Sequence, residues 1–320
     1  MIYLASHRTN IPVVAERWRT MLYDFMFTKD KPYYNTMLDK MDSEIYYGNQ
    51  CLIDILTDYR KRFDKYVLAD EKMMSELIGE YEKKISDLDK EEKKFLKKLF
   101  VDLYTSFTQD ETAEGISVSH SFFHELNIRT CPYCNRQYTF TTDTKGAKTA
   151  PEYDHFYDKS HYPILAVSFY NLIPSCHTCN HIKGTKNTAK VNPYFRGFES
   201  CFRLVNEKNQ PEITGRHKEK LVLLKPDGTK DDDEQGNIDT FGLQELYAMH
   251  DDYIKELVEK ATIYNSTFMQ DLVSTFQSAA HSQQEVFDFI WGKYLEVSQY
   301  ENRPLAKLTK DLLDQLGIRR

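Results

Sequence analysis

An α+β fold, mostly helical, with a small strand-bearing centre between helical flanks, is predicted from three features of the sequence. Apolar residues recur at helical spacing up to about residue 107 and again from about residue 240. Short apolar runs closed by Pro, Gly or Asn, the mark of strands, fall between about residues 153 and 228. Two Cys-x-x-Cys pairs, Cys131 with Cys134 and Cys176 with Cys179, bracket 41 residues of that centre.

Taken in order, the stretch from Pro12 to Phe107 reads as helices, most clearly "EEKKFLKKLFVDLY", where Phe95, Leu96, Leu99, Phe100, Leu103 and Tyr104 share one stripe. Asp89, with Glu92 three residues on, is its expected N-terminal cap, and the stripe is expected to face a core. The polar, Gly-containing segment 108–117 marks the end of an N-terminal helical region, 1–117, and the cysteine region follows as 118–197. In the third region, 198–320, "CFRLV" and "KLVLLKPDG" read as strands ended by a Pro-Asp-Gly turn, and "KDDDEQGN" as a solvated acidic loop. Helices resume over "FGLQELYAMHDDYIKELVEKATIY", with Asp239 or Thr240 as cap, and over "AKLTKDLLDQLGI", with Gly317 as the stop.

Charged residues at 28% and apolar ones at 41% are the composition of a globular protein. No apolar run is long enough for a membrane span and "MIYLASHRTN" carries no secretory pattern, so a cytoplasmic protein with no membrane partner is expected. The formal net charge of −7 argues against a surface coated for nucleic acid. Its distribution does not: residues 129–197 carry nine Lys or Arg against four acids, a net +5 that leaves −12 for the rest. A basic island in an acidic chain is where a polyanion would dock.

In a reducing compartment, paired cysteines two residues apart point to metal or redox chemistry rather than to structural disulfides. Cys51 and Cys201 stand alone and read as buried apolar thiols. Neither Cys pair lies in a βαβ pattern, which disfavours a thioredoxin-like centre, and the His-x-Glu element of a zinc deaminase is missing before "PSCHTC". Four thiolates at Cys131, Cys134, Cys176 and Cys179 make a closed tetrahedral set for structural Zn²⁺, which leaves no open position for catalysis. Any chemistry needs a second ion.

The inserted segment offers the parts. Tyr153–Phe156 reads as one strand, "NLIPS" from Asn171 as a second, and "CHTCNHIKGTK" as a helix that Gly184 ends. On that layout Asp154 and Asn180 supply hard oxygen donors for Mg²⁺ (or Mn²⁺), His155 supplies a base, and Lys183 and Lys186 supply cations for flanking phosphates.

The ordered set Cys-x-x-Cys, Asp-His, Asn, Cys-x-x-Cys-Asn-x-x-Lys over about residues 129–195 resembles the zinc-bearing form of the HNH, or ββα-metal, nuclease family. The resemblance implies a central zinc-clamped ββα nuclease module, with His155 as general base, Asp154 and Asn180 as metal ligands and Asn171 tying the loop that orients the histidine. The family's third letter is Asn here instead of His, which leaves a contribution from His181 open. More loosely, "DHFYDKSHYPILAVSFYNLIPSCHTCN", "NPYFRGF" and "RPLAKLTKDLL" look like the HNH partner nucleases of Septu-type and retron-linked bacterial antiphage systems, which act with an ATPase.

The expectation is therefore a metal-dependent endonuclease that nicks or cuts DNA. Its acidic flanks suggest delivery by a protein partner, and the second resemblance implies that this partner is an ATPase. Two alternatives stand beside it: a zinc-stabilised module that binds nucleic acid or protein without cutting, and a nuclease acting on RNA.

Overall fold

In the computed structural model the described residues are 1–4, 8, 10–43, 49–144, 147–208, 210, 212–213, 219–264, 268, 271–272, 274–275 and 282–318. Among the described residues seven α-helices come first: α1 (Ile11–Tyr23), α2 (Tyr33–Ser43), α3 (Gln50–Lys61), α4 (Phe63–Val67), α5 (Glu71–Ile85), α6 (Lys90–Gln109) and α7 (Val118–Leu126). Two antiparallel hairpins, β1 (Thr142–Thr144) with β2 (Ala147–Thr149) and β3 (Glu152–His155) with β4 (Leu172–Ser175), lead into α8 (His177–Lys183). A third antiparallel pair, β5 (Cys201–Val205) with β6 (Lys220–Leu224), precedes α9 (Asp232–Phe241), α10 (Leu243–Ala248), α11 (Asp251–Ile263), α12 (Gln283–Trp291) and α13 (Ala306–Gln315). The fold is α+β and mostly helical.

Helix α6 forms where its stripe and cap place it. Asp89 accepts the Glu92 N–H while the Glu92 carboxylate accepts the Asp89 N–H, each at 2.8 Å, so two backbone donors that the first turn leaves unpaired are satisfied. Phe95, Leu96, Leu99, Phe100 and Leu103 are buried, and Tyr104, at the edge of the stripe, is half-buried.

One continuous apolar core takes side chains from all three sequence regions. Its centre near the candidate site is Trp18 on α1, fully buried, whose indole N–H donates to the Val167 carbonyl at 2.9 Å. Phe107 and Phe122 meet that ring edge-on at 4.9 Å, and Tyr153 and Phe169 meet it at 6.0 and 6.3 Å. An aromatic cluster of this kind holds the N-terminal helices rigidly against β3 and the loop behind it.

The C-terminal hairpin aligns Cys201 with Leu224 and Val205 with Lys220. Helix α13 finishes its open edge with side chains: Asp311 accepts the Phe202 N–H at 2.9 Å, and Gln315 accepts the Leu204 N–H and donates to the Leu204 carbonyl. Those groups would otherwise be an exposed strand edge. Gly317, at φ 75°, stops the helix in the left-handed conformation that suits glycine.

Three sequence expectations need correction here. "KDDDEQGN" is not a solvated loop: Asp231 caps α9 by accepting the Asp233 and Glu234 N–H groups, and the acids of the first turn face the positive helix end. Glu234 is buried and accepts the Glu199 and Ser200 N–H groups, while Asn237 accepts those of Lys190 and Val191. Gly236 allows this approach, since a Cβ there would lie 2.7 Å from the Thr188 carbonyl. Neither Asp239 nor Thr240 caps the next helix; Gly242, at φ 58°, ends α9 and starts α10. Cys51 and Cys201 are half-buried, their thiols near the Lys84 and Glu199 carbonyls. No described helix is long and apolar enough to cross a membrane.

Candidate functional site

The four cysteines meet. Cys131, Cys134, Cys176 and Cys179 are all buried and their sulfurs lie within 4.8 Å of one another, with Cys134 and Cys176 at 3.9 Å. Zn–S bonds of about 2.3 Å in a tetrahedron put sulfurs about 3.8 Å apart, so the cluster could hold a zinc ion. Local geometry favours the thiolate form at both turns. The Arg136 N–H points at Cys134 Sγ, and Cys176 caps α8 with its sulfur toward the Cys179 N–H.

Asn135 makes the first turn possible. It sits at φ 48°, a left-handed conformation that Asn tolerates, and is completely buried. Its amide donates to the Tyr300 and Arg303 carbonyls and to Thr130 Oγ1, its side-chain oxygen accepts the Lys307 N–H, and its backbone oxygen accepts the Leu305 N–H. The start of α13 is thereby bolted to the cysteine turn. Tyr247 adds a hydrogen bond from α10 to the Cys134 carbonyl.

Strands β3 and β4 pair Glu152 with Ser175, Asp154 with Ile173 and His155 with Leu172, and α8 packs against β3. Because successive side chains on a strand alternate faces, Glu152 and Asp154 point one way and His155 the other.

His155 is buried. Its Nε2 lies 2.9 Å from the Ala166 carbonyl, the Tyr104 ring meets it edge-on at 4.7 Å, and the Lys159 ammonium lies over that tyrosine at 4.3 Å. A carbonyl can only accept, so Nε2 carries the proton and Nδ1 the lone pair. Burial first, and then the Lys159 charge, lower its pKa to about 3. The ring is therefore neutral across the physiological range.

Asp154 is buried too, and both of its oxygens are engaged. The Lys183 ammonium, completely inaccessible, sits 3.1 Å from Oδ1 and 2.5 Å from the His155 carbonyl, while the Tyr133 hydroxyl donates to Oδ2 at 2.7 Å. Burial raises the Asp154 pKa, and Lys183 and Tyr133 pull it back only in part. Lys183 is thus not a phosphate contact, contrary to the sequence reading: its position on α8 faces inward, and a buried carboxylate requires a partner. Lys186 is exposed.

Asn180, half-buried, donates to Glu152 Oε2 at 2.7 Å, and His177 Nδ1 lies 2.8 Å from Glu152 Oε1. Burial pushes Glu152 up, but the hydrogen bonds from Asn180 and His177 leave its pKa below the ordinary value, and Glu152 in turn raises that of His177. Asp154, His155 and Asn180 therefore occupy three adjoining hydrogen-bonded neighbourhoods around one strand.

Asn171, fully buried, ties the loop between the strands: it accepts the Tyr157 N–H and donates to the Tyr157 and Leu165 carbonyls. Leu165, tied in this way, precedes Ala166, whose carbonyl holds His155. Of the basic island, Arg136 is spent on His250 and Arg196 on Asp233, and Lys145 lies outside the described residues. Arg129, Lys186 and Lys190 are exposed.

Sequence reasoning missed Tyr133, Glu152, Lys159 and Tyr104. Glu152 was legible, two residues before Asp154 and so on the same strand face. Tyr104 was not, because only the packing of α6 brings it to His155.

The chain is 32% identical over 110 residues to the Septu protein PtuB of Bacillus thuringiensis. The match covers 31% of this chain and 40% of that relative's length. No protein-family profile matches the chain, and no solved structure gives a significant match.

Proposed function

We propose that the chain is a metal-dependent endonuclease of the HNH type that hydrolyses phosphodiester bonds of DNA, by nicking or double-strand cleavage. The observation that carries the reading is His155 at the end of β3, neutral and held through Nε2 by the Ala166 carbonyl, in a β-hairpin that the two cysteine pairs bracket and that leads into α8. This tautomer leaves Nδ1 to take a proton from water. A phosphodiester bound beside His155 and Lys159 puts negative charge next to the ring, which raises its pKa from about 3 toward the range a general base needs. Asn171 fixes the loop, and Lys186 offers a flanking phosphate contact.

Asp154 and Asn180 are the proposed donors for Mg²⁺ or Mn²⁺, which when bound would neutralise the scissile phosphate and the departing oxygen. Asn180 is half-buried, and with its Nδ2 on Glu152 its side-chain oxygen is the donor it offers. Asp154 fits only if it exchanges Lys183 for the ion, since both oxygens are otherwise taken. That engagement favours a second reading, a zinc-stabilised module that binds nucleic acid or protein and does not cut.

Similarity to a Septu protein supports a role in bacterial antiphage defence, with an ATPase as the partner that delivers this acidic chain to DNA. Plasmid DNA and a matched RNA incubated with wild type or His155→Ala, with and without Mg²⁺ or Mn²⁺, test the proposal. Loss of DNA cutting in the variant alone supports it. Equal cutting by both removes His155 from the mechanism, cutting of RNA alone changes the substrate, and metal-independent binding without cutting establishes the second reading.

A further inference from the structure

A cluster outside the base and the cysteines has the parts of a second transition-metal site. His177 and His181 are one turn apart on α8, the spacing that places two side chains on one helix face. Both are exposed, and their rings stack at 5.9 Å between centroids and 20° between planes. Zn–N bonds of about 2.0–2.1 Å bring two coordinating nitrogens to about 3.3 Å, a gap that side-chain rotation alone can close on such a helix.

The decisive feature is Glu152. Its Oε2 is held by Asn180, which aims Oε1 at His177 Nδ1, 2.8 Å away. A carboxylate on one imidazole nitrogen fixes the tautomer, so the lone pair of His177 is on Nε2, turned away from Glu152 and available to an ion. Carboxylate, histidine and a neighbouring histidine are the donor arrangement that orients and strengthens an imidazole ligand. The hydrophobic core lies on the other side of α8 with Cys179, so both imidazoles stand on the exposed face.

We propose that His177 Nε2 and His181 chelate one divalent transition ion, of the Zn²⁺, Cu²⁺ or Ni²⁺ class, at the exposed face of α8, with Glu152 positioning His177. Imidazole pairs select these ions over Mg²⁺, which prefers oxygen. Two protein ligands leave coordination positions open to water or to a phosphate oxygen. The ion would lie beside Asn180, and any role toward a phosphodiester rests on the nuclease reading; binding of the ion does not.

The full chain is dialysed against buffered Zn²⁺ in the presence of excess Mg²⁺, and bound zinc is counted by metal analysis. Two zinc ions per chain are expected for wild type and one for His177→Ala and for His181→Ala, the remaining ion showing that the cysteine cluster and the fold are intact. Glu152→Gln keeps the second ion with affinity weakened 10- to 100-fold. Cu²⁺ added to the zinc-loaded chain gives a nitrogen-coordinated paramagnetic resonance signal that both histidine variants lose. One zinc ion in wild type, or a second ion retained when both histidines are replaced, overturns the proposal whether or not the chain cuts DNA.

Discussion

Replacing Lys183 by Met leaves Asp154 with a single hydrogen bond, from Tyr133, in a place that water does not reach. The two side chains of the pair are 0% and 2% exposed. Removing one partner of such a pair costs about 3–5 kcal/mol, against about 0–1 for an exposed pair. With about 2.1 cal/mol/K of unfolding entropy per residue, a 320-residue chain carries about 0.7 kcal/mol/K, so the expected fall in Tm is about 4–7 °C.

The pH dependence has a definite sign. Burial already holds the Asp154 carboxyl above its usual range, and Lys183 pulls it down. Without Lys183 the pKa rises further, so acidification neutralises the stranded charge earlier. The variant's deficit therefore shrinks as the pH falls from about 8 toward about 5. Adding Asp154→Asn to Lys183→Met removes the charge altogether and is expected to restore more than half of the loss. Thermal melts of the zinc-loaded proteins at both pH values measure this. A loss below about 1 kcal/mol, or a deficit that grows on acidification, would refute the buried pair and leave Asp154 open for an ion.

Three other outcomes follow from the same structure. His155 has its pKa lowered from 6.5 to about 3, so the unfolded chain binds a proton between those values that the folded one does not; stability then falls as pH drops through that window, by up to about 1.4 kcal/mol per pH unit, and His155→Gln flattens that part of the stability profile. Asn135→Ala strips four side-chain hydrogen bonds that join the cysteine turn to Thr130 and to the approach and start of α13 and puts Ala at positive φ, for an expected loss of at least about 2 kcal/mol in urea titrations; Asn135→Gly relieves only the backbone part. In the zinc-loaded chain a chelator is expected to melt the segment between the cysteine pairs first, seen as loss of hydrogen-exchange protection at Tyr153–His155 before α6, because an ion shared by the four sulfurs would tie the two turns to each other.

Features whose cause is local could be read from the sequence. The cap at Asp89, the stripe of α6, the helix ended by Gly184 and the stop at Gly317 depend on residues a few positions apart and form as their patterns imply, and the strand expected at Tyr153–Phe156 forms one residue earlier, at Glu152–His155. The acidic run at 231–234 misled because charge alone does not distinguish a solvated loop from a first helical turn; what decided was that Glu234 and Asn237 had unpaired backbone donors to bind at residues 190–200. The candidate site divides in the same way. Cys131, Cys134, Cys176 and Cys179 were recognisable as one cluster from spacing and chemistry, and the proposal that His155 is the base comes from its motif.

By itself, then, the sequence determined which donors exist and in which order: four sulfurs, an Asp-His strand and two asparagines. Which donor meets which was settled by tertiary packing, because it depends on burial. Asp154 lies where water is excluded, and a buried carboxylate takes the nearest cation, so Lys183 turned inward to it, while the half-exposed Glu152, on the same strand face, was left to Asn180 and His177.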